Sequence, residues 1–214
     1  KRLFDRFDID GYIVPKNDEY FNEYVSSSKD RLKFISNFSG SAGFAIIMRK
    51  RSYLFIDGRY TSQAHYQSGK KFKIITVPMN FPKDIIKPKK KVIVGFDPNL
   101  HTENQLKVLF KIKNISLKPL DKNLIDMIWH NKPRENVRSF YTIPTKYIGQ
   151  NREKKINEVK KILLKNKLDY FLITAPENIA WILNIRGYDT SYSPIPNARL
   201  LISKNGRLTL FSNL

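Results

Sequence analysis

The 214-residue chain has no cysteine, which excludes a disulfide framework, a thiolate metal site and a thiol nucleophile, and fits a cytoplasmic setting. Histidine is scarce as well. His65, His101 and His130 stand far apart, and none forms the close pairing that sets two ligands on one helical face. Each reads as a surface or partly buried side chain, so neither a metal ligand nor a catalytic residue is assigned. Long apolar runs are also missing. The longest, such as residues 179–183, fall far short of the ~20 residues needed to cross a bilayer, and no membrane partner is expected. The first residues have neither a methionine nor the apolar core of a signal peptide, and are expected to be an interior cut. There is no Gly-x-Ser-x-Gly elbow for a serine nucleophile. Gly40-Ser41-Ala42-Gly43 lacks the Gly-Lys-Ser/Thr ending of a phosphate loop and reads as a tight loop feeding a strand.

Acidic residues are the last shortage, 19 against 39 lysines and arginines, for a net charge of +20. A field of that sign draws polyanions at low salt. The charges are spread along the chain, however, with one dense run at residues 87–91 just before an apolar strand, where lysines commonly solvate an edge. No nucleic-acid reading motif accompanies them, and nucleic acid is not the expected partner. What is plentiful is core material: 41% apolar and 13% aromatic residues, enough to fold one large domain or two modest ones.

Strands are predicted at residues 11–15, 72–77 and 92–96, and a hairpin over 44–48 and 53–56. Thr102 and Gln105 form a capping box that opens a helix over 102–112. A short helix is predicted over 123–129, with Leu124, Ile125 and Ile128 on one face. Residues 130–150, rich in proline and charge without apolar period, read as an interdomain linker. An amphipathic helix follows from Arg152, its apolar face formed by Ile156, Val159, Ile162 and Leu163, with lysines filling the rest. Residues 170–173 read as a buried strand. Thr174 and Glu177 suggest a second capping box, with Pro176 in the first turn of a helix ending near Asn184. A final hairpin turns at Asn205-Gly206. The alternation is α/β in two units: 1–133, a linker over 134–150, and 151–214. The second unit, about 65 residues long, is small for an independent core and is expected to be cut short.

Two loops can carry binding groups. Asp57-Gly58-Arg59-Tyr60 sits where a buried strand ends and a helix starts, the edge at which open α/β sheets present ligands. In one reading Asp57 caps the helix, Gly58 permits the tight exit and Arg59 pairs locally. In the other, Arg59 projects into a cleft and binds a substrate carboxylate or carbonyl with its planar fork. The second loop leaves a helix at Asn184 and carries Arg186, Asp189 and Tyr192. It reads as a lip over a neighbouring site or as a solvent-facing turn.

These motifs fall in a specific order: Asp18 to Tyr24 followed by Arg31; residues 35–43 with Gly40 and Gly43; Asp57-Gly58-Arg59-Tyr60 with Gln63 and Ala64; Gly95-Phe96-Asp97-Pro98; residues 123–129 with Pro133; and residues 179–189. Each is weak alone. Together they resemble the N-terminal part of the Xaa-Pro aminopeptidases (aminopeptidase P) of the creatinase and prolidase superfamily, across almost the whole chain.

The resemblance implies two related mixed-sheet α/β domains of ribonuclease-H-like topology, the second incomplete. It further implies a C-terminal pita-bread catalytic domain that lies outside this sequence. That domain holds two divalent metal ions, usually manganese, and hydrolyses the bond between an N-terminal residue and a following proline in short peptides. This chain alone is then expected to be inactive, shaping substrate access and subunit assembly in a cytoplasmic homodimer. Arg59, Tyr60, Arg186, Asp189 and Tyr192 are the candidates for touching substrate, and Asp57, Gly58, Gly40 and Gly43 form the structural motif. The family commonly follows the position of Asp18 with a small residue and histidine, where this chain has Glu19 and Tyr20. The alternative reading is a stand-alone basic α/β binding module for nucleic acid or an acidic protein.

Overall fold

The computed structural model describes residues 1–135 and 138–213; of the expected linker, residues 136 and 137 lie outside the described residues. The chain divides into two compact units. One comprises Lys1–Glu19 and Ser27–Pro133; the other joins the arm Tyr20–Ser26 to the described residues from Arg134 onward.

The first unit runs α1 (Leu3–Arg6), β1 (Gly11–Pro15), α2 (Arg31–Ser36), β2 (Gly43–Met48), β3 (Ser52–Asp57), α3 (Thr61–Ser68), β4 (Lys73–Val77), α4 (Pro82–Ile85), β5 (Val92–Phe96), α5 (Glu103–Phe110) and β6 (Ile115–Pro119). Its six strands form one mixed sheet in the order β4-β3-β2-β1-β5-β6. β2 is antiparallel to β1 and β3, while β1–β5, β3–β4 and β5–β6 pair in parallel. Side chains alternate between the faces of this sheet, so each strand feeds two cores. Tyr12, Val14, Ala45, Ile47, Leu54 and Ile56 pack on one face with Leu32, Phe38 and Ala64. Ile13, Ile46, Phe55, Val94 and Phe96 pack on the other with Phe110 and Ile112. A sheet covered on both faces explains why its strands read as continuous apolar runs.

The helix opened by Thr102 and Gln105 forms with both capping-box hydrogen bonds, at 3.1 Å each. The helix expected over 123–129 does not form; successive turns stand there instead. The Asn123 carboxamide oxygen accepts from the backbone N–H of Ile125 (2.9 Å) and Asp126 (3.3 Å) as an N-cap would, and Met127 N–H reaches the Asn123 carbonyl, but Ile128 N–H returns to Ile125, so a single turn forms and is not continued. Two elements without a strong sequence signal are α2 and β6. α2 is nonetheless fully capped: Asp30 accepts from Lys33 N–H at its start, and Asn37 closes it in the left-handed region.

The second unit contains β7 (Tyr141–Thr142), α6 (Arg152–Lys165), β8 (Tyr170–Ile173), α7 (Pro176–Leu183), β9 (Ile185–Arg186), β10 (Ala198–Ser203) and β11 (Leu208–Ser212). β11, β10 and β8 form an antiparallel sheet, and β7 pairs with β9. Its core joins Ile156 of α6, Ile173 of β8, Ile179, Ile182 and Leu183 of α7, and Ala198, Leu200 and Ile202 of β10.

Four expectations are corrected here. β8 is a strand but is not buried: Tyr170 and Leu172, 63% and 53% exposed, lie on the sheet face opposite the core, beside Ser203 and Leu201 of β10, and Ile173 alone is enclosed. The Thr174–Glu177 capping box is absent, since the N-cap of α7 falls on Ala175 and Pro176 takes the first turn. On α6 the buried stripe is Lys155, Ile156 and Leu163, while Ile162 is exposed. The final hairpin turns through residues 204–206 rather than through a two-residue turn. Ser203 N–H donates to the Arg207 carbonyl and Gly206 alone takes a positive φ of 85°, the pattern of a three-residue loop with glycine at its end.

Candidate functional site

In the first unit β3 delivers Asp57 at its C-terminal end, in extended backbone. One carboxylate oxygen accepts from the backbone N–H and the Nε of Arg59, both at 2.9 Å, and the other accepts from Nη2 at 3.4 Å. The paired guanidinium lies 5.4 Å from the Tyr60 ring centroid, and the Tyr60 hydroxyl is 2.8 Å from that of Ser41. Hydrogen bonding from Arg59 holds the Asp57 carboxyl below its usual range, and the Ser41 contact lowers the Tyr60 phenol. Local capping and outward presentation therefore coexist: Arg59 is fixed at its base, yet its side chain is 72% exposed.

The glycines around this turn differ in what they require. A Cβ on Gly40 would stand 2.2 Å from the buried Phe38 ring, and one on Gly43 2.7 Å from the Phe55 carbonyl, so both positions exclude side chains. Gly58 does not: it has no positive φ, and a Cβ would meet only Thr76 Cγ2 at 3.4 Å. The tight exit expected to need glycine is an ordinary 3-10 turn.

In the second unit α7 ends on Asn184 in the left-handed region, with φ 54°. Arg186 turns back, its Nη1 donating to the carbonyls of Ala180 (3.2 Å) and Ile185 (2.8 Å). It thus satisfies a carbonyl in the last turn of α7. Lys155, 5% exposed, donates to the Trp181 carbonyl and the Asn184 carboxamide oxygen, with its ammonium 4.2 Å from the Trp181 ring centroid. Burial, and then the charge of Arg186, pull the Lys155 pKa down.

Asp189 accepts from Asn197 N–H at 2.7 Å, and burial raises its carboxyl pKa against that bond. Gly187 is required because a Cβ there would meet Pro196 Cα at 2.7 Å. Tyr192 behaves differently from its loop neighbours. It is 91% exposed, takes a positive φ of 68°, and touches Tyr24 of the arm edge-on, with centroids 5.4 Å apart.

Asp57, Arg59 and Tyr60 are therefore one contact cluster in the first unit, whereas Arg186, Asp189 and Tyr192 share a loop but engage separate partners. Sequence reasoning missed Lys155, hidden among lysines assigned to solvent. It also missed the network in which Arg31, 3% exposed, binds Glu19 (2.6 Å) and Asp126 (2.8 Å) in the first unit. The signal for that network was present in the matched segments, which contain all three residues. Among the described residues no three His, Cys, Asp or Glu side chains gather so as to hold a metal ion. The residues present do not fit the two-metal centre that the resemblance implies, and no step is assigned to metal here. Among the described residues, no helix is long and apolar enough to cross a membrane.

Comparison with known proteins matches residues 1–128 and 131–214 to two family profiles, each described as a Creatinase/Prolidase N-terminal domain. Aminopeptidase P1 of Lotus japonicus is 30% identical over 92% of the chain and 31% of its own length. The "Probable Xaa-Pro aminopeptidase P" of Coprinopsis cinerea is 31% identical over 100% and 36%. The crystal structure of X-prolyl aminopeptidase from Caenorhabditis elegans, described as a cytosolic enzyme with a di-nuclear active site, superimposes with a TM-score of 0.83. It shares 25% identity, covering 96% of this chain and 35% of that one. The chain thus spans about a third of the length of these relatives. With both profiles accounting for nearly every residue, the chain belongs to the creatinase/prolidase N-terminal domain family.

Proposed function

We propose that this chain is the non-catalytic N-terminal region of an Xaa-Pro aminopeptidase, where it narrows access to a metal site carried elsewhere and contributes to subunit assembly. The observation that carries this reading is the match of both units to N-terminal domain profiles while the chain spans about a third of relatives named as aminopeptidases. The parent would be a cytoplasmic homodimeric metallopeptidase acting on short peptides with proline second, its two ions, manganese by family habit, lying outside this chain. Selection by exclusion suits such a wall, because a narrow entrance rejects folded proteins without adding affinity for small peptides.

Within this reading the substrate-facing groups are Arg59 and Tyr192, which are exposed, together with Tyr60, half-buried against Phe38 beside Arg59, while Arg186 and Asp189 hold their loop in place. In the full-length enzyme Arg59→Ala is expected to raise KM for Xaa-Pro peptides about tenfold with kcat nearly unchanged, the pattern of lost uniform binding. Steady-state kinetics on a short and a long peptide would measure it. Unchanged constants on both would remove Arg59 from the substrate path.

A further inference from the structure

The second unit holds a cavity of about 280 Å³ between the arm and the loop that follows α7, lined by Phe21, Asn22, Glu23, Tyr24, Glu177, Thr190, Ser193 and Ile195. We propose that this cavity is an accessory binding site for the free N-terminus of a short peptide, seating the terminal ammonium near Glu23 and Glu177 and a following ring against Tyr24. This rests on the reading above, since it takes peptides as the molecules the parent handles.

Four observations converge on it. First, charge: the chain has twice as many cationic as acidic residues, yet no lysine or arginine lines this cavity. Among the described residues neither the Glu23 nor the Glu177 side chain takes part in a hydrogen bond or ion pair. The start of α7 accounts for a carboxylate at Glu177 through the helix dipole, but it gives no reason for Glu23. Second, rings: Phe21 and Tyr24 remain 43% and 39% exposed, and stacking surfaces of this kind suit a prolyl ring. Third, strain: Phe21, which lines the cavity, holds a positive φ of 58°, a cost that persists where the surrounding structure fixes it and that concentrates at binding sites.

Fourth, the walls are braced before any ligand arrives. Asn22 donates to Asn197 at 2.8 Å, Asp189 accepts from the backbone of Asn197, and the Thr190 hydroxyl donates to the Ser193 carbonyl at 2.6 Å. A preformed cavity spares the ordering cost of binding. Its volume lies just below the usual range for ligand pockets, roughly 300–1,000 Å³, so it would take the end of a peptide rather than a long segment.

The test is a titration of the isotopically labelled 214-residue chain, followed by amide NMR, with alanyl-prolyl-alanine, its N-acetylated form and propylamine. Saturable shifts confined to residues 21–24, 177 and 190–195 are expected from the free peptide, with affinity lowered about tenfold or more by N-acetylation, the worth of a charge-assisted hydrogen bond. Propylamine should bind at least tenfold more weakly, for lack of the ring contact. Glu177→Gln and Tyr24→Ala should each weaken the peptide about tenfold. If Tyr24→Ala fails to fold, Tyr24→Leu, which keeps bulk and removes the aromatic face, provides the same comparison.

No saturable shift at a few millimolar peptide, equal binding of the acetylated form, or propylamine matching the peptide would each overturn the site. Such a failure leaves the non-catalytic reading intact, because that reading is tested by cleavage rather than by binding. Cleavage of peptide by this chain would overturn that reading and leave the binding result standing.

Discussion

Arg31→Met is expected to destabilise the first unit by about 2–4 kcal/mol, roughly 10 °C in Tm, the largest effect of a single substitution outside the apolar cores. Arg31 is 3% exposed, and its guanidinium binds Glu19 through Nη2 and Asp126 through Nη2 and Nε, at 2.6 to 3.0 Å. Lys29 and Lys132 close the network from outside, at 3.4 and 3.0 Å. Burial opposes the charge on Arg31, but the Asp126 hydrogen bond and the Glu19 charge outweigh it and raise its pKa. For Glu19 and Asp126 burial is likewise overcome, chiefly by Arg31, leaving both carboxyls below their ordinary values.

Removing the cation leaves two partly buried carboxylates facing each other. Because they retain some solvent, the cost falls below that of a fully orphaned buried charge. The sign with pH follows. Both carboxyls are depressed in the folded state, so their contribution is present above the ordinary values of 4.5 and 3.8 and is lost as pH falls below them. Thermal denaturation followed by circular dichroism at pH 7 and pH 3 measures both points. Arg31→Met with an unchanged Tm at pH 7 would show that the network is not structural. Arg31→Lys should recover only part of the loss, since an ammonium cannot reproduce the forked geometry.

The second large effect is expected at milder acidity. His101 lies edge-on to Phe96 and Phe110, with ring centroids 5.8 and 5.9 Å away, and its Nε2 is buried without a partner among the described residues. Burial drives its pKa from 6.5 down to about 4, with the charge of Asp97 opposing. The folded pKa is depressed, so the unfolded chain takes up a proton first. Stability is therefore full above about pH 6.5, falls as pH drops toward 4, and by then has lost about 3 kcal/mol on this account. His101→Phe keeps a ring between the two phenylalanines and removes the proton. Its urea midpoint should stay nearly level between pH 7 and pH 5, where that of the parent chain declines. Parallel slopes for the two proteins would exclude His101 as the cause.

Elements governed by local chemistry were the ones legible in the sequence. β1, the β2–β3 hairpin, β5 and the capped start of α5 each follow from residues within a few positions of one another. The misread elements have non-local or competing causes. Over 123–129 Asn123 caps as a helix start should, yet the bond of Met127 N–H to the Asn123 carbonyl gives way at once to the tighter one from Ile128 to Ile125, and the amphipathic pattern becomes turns. A four-residue apolar run at β8 reads as a buried strand, but burial depends on which face the rest of the unit covers, and the core lies on the face of Leu200 and Ile202, leaving Tyr170 and Leu172 outside.

The candidate sites divide in the same way. Asp57, Arg59 and Tyr60 are adjacent in sequence, and their turn was readable. The arm that carries Phe21 and Tyr24 meets a loop some way along the chain, as in the contact between Asn22 and Asn197, 175 residues apart. No local pattern announces that pairing. Lys155 was assigned to solvent by composition, and the end of α7, with the Asn184 carboxamide and the Trp181 carbonyl and ring, explains why an ammonium is buried there.

On the proposed reading this scaffold supports a reaction whose catalytic groups lie outside it. Incubating the purified 214-residue chain with an Xaa-Pro tripeptide and manganese, and following release of the N-terminal residue, tests it most directly. No release above the rate with manganese alone is expected; metal-dependent turnover that survives repeated purification would place catalytic groups within this chain.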